Sequence, residues 1–208
     1  MGNIHSVQKA LESLGAETIV TARPEDIKKS QKLVLPGVGA FEDAVGQLKK
    51  NGLFEALIEQ IKNKKIFLGI CLGMQLLFKK SQEASEISGL GILEGEVKRF
   101  DEKMNIKVPH MGWNQLKAAG RKSSFDFAQD RQVASECPLL KEIPDNAYVY
   151  FCHSYYSQPK DKGMIAATTD YGTDFASVVW QDNVYGTQFH PEKSQEIGLR
   201  ILKNFICL

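Results

Sequence analysis

Apolar residues follow two different periods along this chain, and each period predicts a different kind of element. Residues 32–35 and 66–70 are short, mostly apolar runs typical of strands buried on both faces of a parallel sheet. Apolar residues recur at helical spacing over residues 7–14, 41–48 and 53–61, and residues 24–29 read as a further helix opened by a proline. Residues 17–21 are predicted to form another short strand. This alternation predicts an α/β fold with a doubly wound, mostly parallel sheet.

The second half of the chain consists of shorter predicted strands punctuated by glycines. These strands are predicted at residues 89–97, 104–108, 147–156, 164–169, 175–181 and 183–189. We therefore expect an antiparallel portion added to the parallel sheet, closed by a helix over residues 194–207. Residues 118–136 are polar and are predicted to be a surface insertion. Because neither an internal repeat nor a linker is evident, residues 1–208 are expected to form a single domain.

Composition excludes several classes of function. The net charge is +1, which gives no electrostatic basis for binding nucleic acid or a membrane surface. No apolar run approaches the length of a membrane span. The four cysteines form no CxxC pair, and four in a chain of this length do not make a disulfide scaffold. A reducing, cytoplasmic location is therefore expected.

The apolar run 66–70 leads into Cys71, where the strand is expected to turn sharply into a helix over residues 72–80. Gly69 and Gly73 flank this cysteine two residues away, as glycines flank the serine of a nucleophile elbow. Such a turn is expected to leave the thiol exposed above the sheet at a helix N-terminus, whose N–H groups favour a thiolate. The alternative is that Cys71 is a small buried apolar residue, as most free cysteines are.

A second segment late in the chain supplies the partners that a reactive cysteine needs. Residues 185–189 read as a strand that ends at His190, and Glu192 follows two residues later. A nucleophile, a base and an orienting acid are the requirements of activated-thiol chemistry. The carboxyl ends of strands converge in an open α/β sheet, so the sequence separation between Cys71 and His190 is no obstacle.

Four motifs carry a resemblance to a known family. Three of them resemble the class-I glutamine amidotransferases, whose Cys-His-Glu triad releases ammonia from glutamine: LPGVGAF at 35–41, GICLGMQ at 69–75 and QFHPEKS at 188–194. The fourth, PHMGWN at 109–114, resembles more specifically the glutaminase subunits of imidazole glycerol phosphate synthases, from histidine biosynthesis. The resemblance covers nearly the whole chain, and it implies a flavodoxin-like fold and glutaminase activity with no cofactor and no metal.

The resemblance implies a role for each matching residue. Cys71 would attack the side-chain amide of glutamine, His190 would shuttle protons, and Glu192 would orient His190. The oxyanion would be stabilised at Val38, Gly39 and Leu72. The substrate-binding positions would be Gly37, Gln75, Glu83, Ser154 and Tyr155, with Gln75 and Glu83 at the α-amino end and Ser154 and Tyr155 at the carboxylate.

A partner subunit is also implied. Asn3, Trp113 and Lys193 match positions that face a (β/α)8 cyclase subunit in a heterodimer. That partner would take ammonia through its interior and use it on a phosphorylated ribulosyl aminoimidazole-carboxamide nucleotide. The products would be imidazole glycerol phosphate and an aminoimidazole carboxamide ribonucleotide.

Several of these residues have simpler explanations. Trp113 could be ordinary core, Asn3 could be the N-cap of the first helix, and Lys193 could be a solvated charge. Glu83 also fits an exposed helix end. His153, which is not a triad candidate, is expected to pack or to form hydrogen bonds beside the substrate-binding loop.

Three alternative functions remain open from the sequence. The chain could be a sister amidotransferase, a freestanding γ-glutamyl hydrolase, or a non-catalytic regulatory subunit on the same fold. The segment at residues 109–114 argues against the first two, and the complete triad argues against the third.

One departure from the family concerns the first strand. Members of the family begin with a short apolar strand before a Gly-Asn-Ile segment, whereas this sequence begins with that segment at residues 2–4. The first strand of a doubly wound sheet lies near its middle. Its absence is therefore expected to leave a central gap or to force strands apart.

Overall fold

The chain folds around a six-stranded sheet with helices on both faces. The structure is a computed structural model, and it describes residues 4–104, 106–119 and 137–208. In chain order its helices and strands are α1 (Ile4–Ser13), α2 (Pro24–Lys29), β1 (Lys32–Gly37), α3 (Phe41–Lys50), α4 (Leu53–Lys62), β2 (Ile66–Cys71), α5 (Leu72–Gln75), β3 (Phe78–Ser81), β4 (Leu93–Arg99), β5 (His110–Gln115), β6 (Lys117–Ala118), β7 (Tyr148–His153), β8 (Tyr155–Pro159), β9 (Ile165–Asp170), β10 (Asp174–Gln181), β11 (Val184–Thr187) and α6 (Gln195–Ile206).

The central sheet combines parallel and antiparallel pairs in the order β1-β2-β11-β10-β9-β6. Strand β2 pairs in parallel with β1 on one side and with β11 on the other. The remaining neighbours pair antiparallel, and two smaller sheets have the orders β3-β4-β8 and β5-β7. The predicted α/β class with an antiparallel portion in the C-terminal half is confirmed. The prediction of a mostly parallel sheet is wrong for the described strands, because only two of the five neighbouring pairs in the six-stranded sheet are parallel.

Burial on both faces explains why residues 66–70 form a strand. Phe67 belongs to a core that contains the inward side chains of α3 and α4, whereas Leu68 and Ile70 belong to a second core with those of α1 and α6. Successive side chains of a strand point to opposite faces, so an unbroken apolar run suits this central position. The same packing fixes the carboxyl end of β2, where Cys71 lies.

The helix predicted after Cys71 is shorter than expected. Helix α5 is a single turn that ends at Gln75, and residues 78–81 form strand β3, which pairs in parallel with β4. Leu76, Leu77 and Phe78 are all buried. Three consecutive buried side chains do not fit a helix with one apolar face, so the prediction of a helix over residues 72–80 is wrong beyond its first turn.

Three predicted strands also differ from the structure. Residues 17–21 form no strand and pair with no described strand, and Ile19 is 79% exposed. Residues 106–108 form no strand; the Lys107 carbonyl accepts a hydrogen bond from the Tyr171 hydroxyl instead of a ladder bond. The predicted strand at 147–156 is divided at Ser154, with β7 and β8 belonging to different sheets. Sequence periodicity reports apolar character but not whether a pairing partner exists.

The described sheet has no gap at its centre. Strands β1, β2 and β11 pair along continuous registers, and β1 is an edge strand among the described residues. The expectation of a central gap is therefore wrong for this sheet, and β1, β2 and β11 are not forced apart either. Of the predicted insertion at 118–136, Ala118 pairs with Ala167 of β9, and residues 120–136 lie outside the described residues.

Candidate active site

Cys71 lies at the end of β2 in a backbone conformation that residues other than glycine rarely adopt. Its φ is 54° and its ψ is −107°, and helix α5 begins at the next residue. Backbone strain of this kind costs on the order of 1–3 kcal/mol and persists only where the surrounding structure enforces it. The predicted sharp turn at Cys71 is confirmed. The prediction of an exposed thiol is wrong, because Cys71 is only 6% exposed and its sulfur lies against Gln188 and the carbonyl of Cys152.

Close backbone contacts around the turn require glycine. A Cβ at Gly73 would lie 1.7 Å from the carbonyl oxygen of Leu35, and one at Gly69 would lie 2.5 Å from that of Gly73. Real Cβ atoms do not approach backbone oxygens so closely, so α5 can pack directly on β1 and β2 only because these side chains are absent. A Cβ at Gly37, which is in register with Cys71, would lie 2.9 Å from the side-chain Cβ of Leu72.

His190 and Glu192 form a buried pair beside the thiol. Nδ1 of His190 lies 3.0 Å from Oε1 of Glu192, and both side chains are almost completely buried. The backbone of His190 is fixed on two sides: its N–H donates to Tyr150 O and its carbonyl accepts from the Ser194 hydroxyl. Cys71 is also a hydrogen-bond partner of His190. The structure thus brings together the three predicted triad residues.

The electrostatics of this cluster favour a charged imidazole. Burial alone would lower the pKa of His190, but hydrogen bonds and charge interactions with Cys71 and Glu192 outweigh it and raise that pKa to about 9. Oε2 of Glu192 is buried and has no hydrogen-bond partner in the part of the chain that the structure describes. A buried carboxylate with one free oxygen depends on a nearby positive charge, which His190 supplies when protonated.

The segment predicted to stabilise an oxyanion follows β1 directly. Gly37 ends β1 opposite Cys71, and the exposed Val38 comes next. Gly39 has a φ of +105°, a value that favours glycine. Leu72, the first residue of α5, follows Cys71 on the other side. These predicted residues therefore lie on two adjacent chain segments that meet at the nucleophile.

Of the predicted substrate-binding residues, Gln75 lies deepest. Its Nε2 donates to Tyr155 O at 2.7 Å and to Gln188 Oε1 at 3.2 Å. Ser154 and Tyr155 form the junction between β7 and β8, beside Gln75. Both hydrogens of this amide are thus used to hold neighbouring protein groups.

Glu83, another of the predicted substrate-binding residues, forms a hydrogen bond with the protein backbone. Its Oε2 accepts a hydrogen bond from the N–H of Phe41, the first residue of α3. Burial raises the pKa of Glu83, and the nearby Asp43 acts in the same direction, whereas the bond from Phe41 opposes them. The contact stabilises the start of α3. The alternative suggested by the sequence, that Glu83 lies at a plain exposed helix end, is therefore wrong.

Two contacts to the thiol were not predicted as site contacts. Nε2 of Gln188 lies 3.8 Å from Cys71 Sγ, and Cys71 Sγ lies 3.8 Å from the carbonyl oxygen of Cys152. Gln188 is completely buried two residues before His190. The sequence offered one signal for this contact, because Gln188 is a polar residue within a mostly apolar predicted strand. A buried amide usually has a specific hydrogen-bond partner.

The predicted interface residues Trp113 and Lys193 approach the same aromatic ring. Trp113 is 45% exposed and contacts Tyr150 edge-to-face, while Lys193 Nζ lies 5.7 Å from the centroid of that ring. Trp113 also lines an open cleft with Tyr148 and the start of α6. The alternative that Trp113 is ordinary core is wrong. Asn3 lies outside the described residues.

Metal-ligand clusters and membrane-spanning helices are both absent from residues 4–104, 106–119 and 137–208. In these ranges no group of three or more His, Cys, Asp or Glu side chains is placed to hold a metal ion. None of the helices described there is long and apolar enough to cross a membrane.

Comparison with known proteins identifies the family to which this chain belongs. The family model for glutamine amidotransferase class-I matches residues 1–207. Imidazole glycerol phosphate synthase subunit HisH of Geobacter metallireducens is 47% identical over 99% of this chain and 93% of that protein. Subunit HisH 1 of Campylobacter jejuni is 43% identical over the whole of this chain and 96% of its own length.

Solved structures share the fold at low identity. A crystal structure of a glutamine amidotransferase superposes with a TM-score of 0.71 at 19% identity, covering 98% of this chain and 94% of that chain. A chain of PurLQS from Thermotoga maritima gives a TM-score of 0.65 at 15% identity, covering 98% of this chain and 91% of that chain. From the family model and the full-length relatives, this chain belongs to the class-I glutamine amidotransferases, within the group of HisH subunits of imidazole glycerol phosphate synthase.

Proposed function

We propose that this chain hydrolyses glutamine with a Cys71–His190–Glu192 triad and delivers the ammonia to a (β/α)8 cyclase subunit in a heterodimer. The cyclase would convert the ammonia and its nucleotide substrate to imidazole glycerol phosphate and aminoimidazole carboxamide ribonucleotide. The observation that carries the proposal is the buried His190–Glu192 pair hydrogen-bonded to a cysteine held at a strained strand end. The names of the full-length relatives support the assignment to imidazole glycerol phosphate synthase.

In the first step, the Cys71 sulfur attacks the carboxamide carbon of glutamine, and electrons move onto the amide oxygen. Backbone N–H groups of Leu72 and of the Val38–Gly39 segment stabilise that oxygen while it is negatively charged. His190, protonated and paired with Glu192, donates its proton to the departing nitrogen. Ammonia leaves, and a γ-glutamyl thioester to Cys71 remains.

In the second step, a water molecule attacks the thioester carbon. His190, now neutral, accepts a proton from this water, and the same backbone donors stabilise the second oxyanion. Collapse of the intermediate expels the sulfur and releases glutamate. The proton held by His190 restores its pair with the Cys71 sulfur. Glu192 keeps the imidazole in one orientation through both steps.

Recognition of glutamine depends on the amide of Gln75. Because its Nε2 hydrogens are used by Tyr155 O and Gln188 Oε1, its own Oε1 is the free end. In the described part of the chain no donor reaches this oxygen, so it can accept from the α-ammonium group of the substrate. The backbone at Ser154 and Tyr155 binds the α-carboxylate.

The cyclase partner docks on the surface formed by Met111, Trp113, Tyr148 and Lys193. Three of these side chains are exposed and apolar or aromatic, and such residues are enriched at the centres of protein interfaces. Lys193 adds a positive charge for an acidic group of the partner. A freestanding hydrolase would have no need of this surface.

The whole of residues 1–208 acts as one domain in the cytoplasm.

The test uses the full chain together with the cyclase subunit. Cys71→Ala is expected to release no glutamate from glutamine, whereas ammonium salts restore product formation by the same complex. Cys207→Ala, at an exposed cysteine, is the matched control and should retain full activity. Full glutaminase activity in Cys71→Ala would refute the triad, and failure of ammonium to restore turnover would refute the delivery of ammonia.

A further inference from the structure

Two buried histidines that the proposed mechanism does not use form a continuous line of hydrogen bonds. His110 Nδ1 lies 3.1 Å from His153 Nε2, and His153 Nδ1 lies 2.9 Å from Tyr155 O. At the other end, Asn114 Nδ2 lies 3.3 Å from His110 Nε2. The line therefore runs from β5 to the junction of β7 and β8, where the substrate-binding backbone lies.

The direction of every bond in this line is fixed by the groups at its ends. Asn114 Oδ1 accepts from the Gln115 N–H, and Nδ2 donates to Asp170 O, so the orientation of the amide is determined. Its second Nδ2 hydrogen then points at His110 Nε2, which must accept. His110 consequently carries its hydrogen on Nδ1 and donates to His153 Nε2.

The same logic fixes the second imidazole. Since Nε2 of His153 accepts from His110, the hydrogen of His153 lies on Nδ1 and is donated to Tyr155 O. Both rings are neutral in this arrangement, because a second hydrogen on either would bring two donors face to face. Burial acts in the same direction and lowers the pKa of His110 to about 4 and that of His153 to about 3.

The environment of the pair is aromatic. His110 stacks on Tyr171 at 3.9 Å and on Phe151 at 4.7 Å between ring centroids, and both histidines contact Phe100. Phenylalanine would fill such a place without the cost of burying polar nitrogens. Filling this space does not require imidazoles. Donating a hydrogen bond to the Tyr155 carbonyl does require an N–H group, which the imidazole of His153 supplies.

That carbonyl is shared with the proposed substrate site. Tyr155 O accepts one hydrogen bond from His153 and a second, at 2.7 Å, from Gln75 Nε2. If the carbonyl turned away, Gln75 would lose the acceptor that holds its amide in one orientation. The Oε1 of Gln75, which faces the substrate's α-ammonium in the proposed function, would then lose its fixed position.

The far end of the line lies on the strand that carries the proposed interface. Side chains of β5 alternate: His110 and Asn114 point inward, whereas Met111 and Trp113 point outward and are 60% and 45% exposed. A displacement of β5 at Trp113 therefore moves the donor end of the line. The connection from the proposed partner surface to the substrate site passes through four hydrogen-bonded groups: the Asn114 amide, the imidazoles of His110 and His153, and the Tyr155 carbonyl.

We propose that His153, oriented by His110 and Asn114, is a positioning residue that holds the Tyr155 carbonyl so that Gln75 presents its oxygen to the α-ammonium group of glutamine. This inference rests on the proposed function, since it takes glutamine as the substrate. It assigns the two histidines a role in substrate discrimination rather than in proton transfer.

The test compares glutamine with glutaramate, which has the same carboxamide and carboxylate but lacks the α-amino group. Wild-type chain in complex with the cyclase should hydrolyse glutamine with a much higher kcat/KM. His153→Phe should reduce this preference about tenfold or more, mainly by raising KM for glutamine, because a buried amide loses its fixed partner. His153→Asn, which keeps a donor near the Nδ1 position, should restore most of the preference.

Two control variants separate positioning from a general loss of stability. Phe151→Leu loosens the same aromatic cluster and should lower the melting temperature without changing the ratio of the two substrates. His5→Phe, at an exposed histidine of α1, should change neither. Nitrogen NMR of the imidazoles should find His153 as the neutral tautomer with hydrogen on Nδ1.

The outcomes distinguish this inference from the proposed function. If wild-type chain does not hydrolyse glutamine, the proposed function fails. If wild type is active but His153→Phe lowers kcat/KM for both substrates equally, or if His153 carries its hydrogen on Nε2, the positioning role is refuted while the glutaminase assignment stands.

Discussion

The side-chain amide of Gln188 connects the nucleophile to the proposed substrate site: its Nε2 lies 3.8 Å from Cys71 Sγ, and its Oε1 accepts a hydrogen bond from Gln75. One buried side chain thereby orients both the sulfur that attacks and the amide that holds the substrate. Its two ends cannot be exchanged, because Gln75 donates and the sulfur accepts. Gln188 thus joins two tasks that the motifs assign to separate residues.

Replacement of Gln188 by leucine should reduce glutaminase kcat/KM about 10- to 100-fold, the usual consequence of leaving a buried donor such as Gln75 Nε2 without its acceptor. Both kcat and KM should change, because the sulfur and the substrate site are affected together. Steady-state glutamate release with the cyclase present measures the effect. Gln158→Leu, at an exposed glutamine of β8, is the matched control. Unchanged kinetics in Gln188→Leu would show that the amide only fills space.

Cys71→Gly should be more stable than Cys71→Ala, although both are inactive. The residue has a φ of 54°, and glycine adopts such values without the cost that a Cβ imposes. The expected difference is about 1 kcal/mol in the free energy of unfolding. At Cys152, where the backbone is an ordinary strand, the order should reverse, with alanine more stable than glycine. Urea denaturation of the four variants decides, and equal stability at position 71 would mean that the turn stores no strain.

Gly39→Ala should impair catalysis through conformation rather than contact. No atom lies within 4 Å of a Cβ built at Gly39, but its φ of +105° is unfavourable for any L side chain. Loss of one oxyanion donor in this segment lowers kcat roughly 10²- to 10³-fold. We expect a fall in kcat of this order with little change in KM. Gly46→Ala, in the middle of α3 with equally open space, should leave kcat unchanged and stabilise the chain slightly.

Acid should destabilise this protein through His110 and His153. Their pKa values in the folded chain, about 4 and about 3, lie below the unfolded value of 6.5. Between about pH 6.5 and 4 the unfolded chain binds protons that the folded chain excludes, so stability falls as the pH falls through this window. Melting temperatures from pH 7 to 4.5 should show a steep decline. The double variant His110→Phe/His153→Phe should show a shallower decline in melting temperature. Parallel curves for the double variant and the wild type would contradict the prediction.

Alkali should act through His190 in the opposite sense. Its folded pKa of about 9 lies above the unfolded value of 6.5. The stabilisation from its charged form is fully present below pH 6.5 and is lost as the pH rises through 9. Glu192→Gln removes the carboxylate that favours this charge and should flatten the decline in melting temperature between pH 7 and 9.5. The same slope in Glu192→Gln and wild type would argue against a charged His190.

Trp113→Ala should weaken binding to the cyclase by a factor of about ten or more, since exposed aromatic residues at the centre of an interface contribute most of its affinity. Calorimetric titration of the two subunits measures the dissociation constant. Ile19→Ala, at an exposed apolar residue outside the proposed surface, should bind like wild type. Equal affinities of the two variants would remove Trp113 from the interface.

The elements that could be predicted from sequence are those set by local pattern. The amphipathic helices α1, α3, α4 and α6 and the buried strands β1 and β2 were predicted near their observed bounds, because burial of one face or of both leaves a clear period. The sharp turn at Cys71 could also be predicted, since only glycine permits the contacts of Gly69 and Gly73. Residue roles came from the motifs and stay predictions.

The features that were missed depend on pairing between distant segments. Residues 17–21 have strand-forming side chains but no described partner, and α5 stops after one turn because residues 76–78 are buried on every side. The contact between His110 and His153 requires the antiparallel register of β5 with β7, which places them opposite each other. No period in the sequence encodes that register, so the line of hydrogen bonds could not be predicted.

The approach of Gly73 to the Leu35 carbonyl has a consequence for how this gene tolerates mutation. All four glycine codons begin with GG, so any change in the first two bases of codon 73 introduces a side chain or a stop. The smallest of these side chains already places a carbon where the Leu35 oxygen lies. In a library of single-nucleotide variants, codon 73 should therefore show only synonymous third-base changes among survivors selected for histidine prototrophy, whereas codon 46 should admit alanine freely.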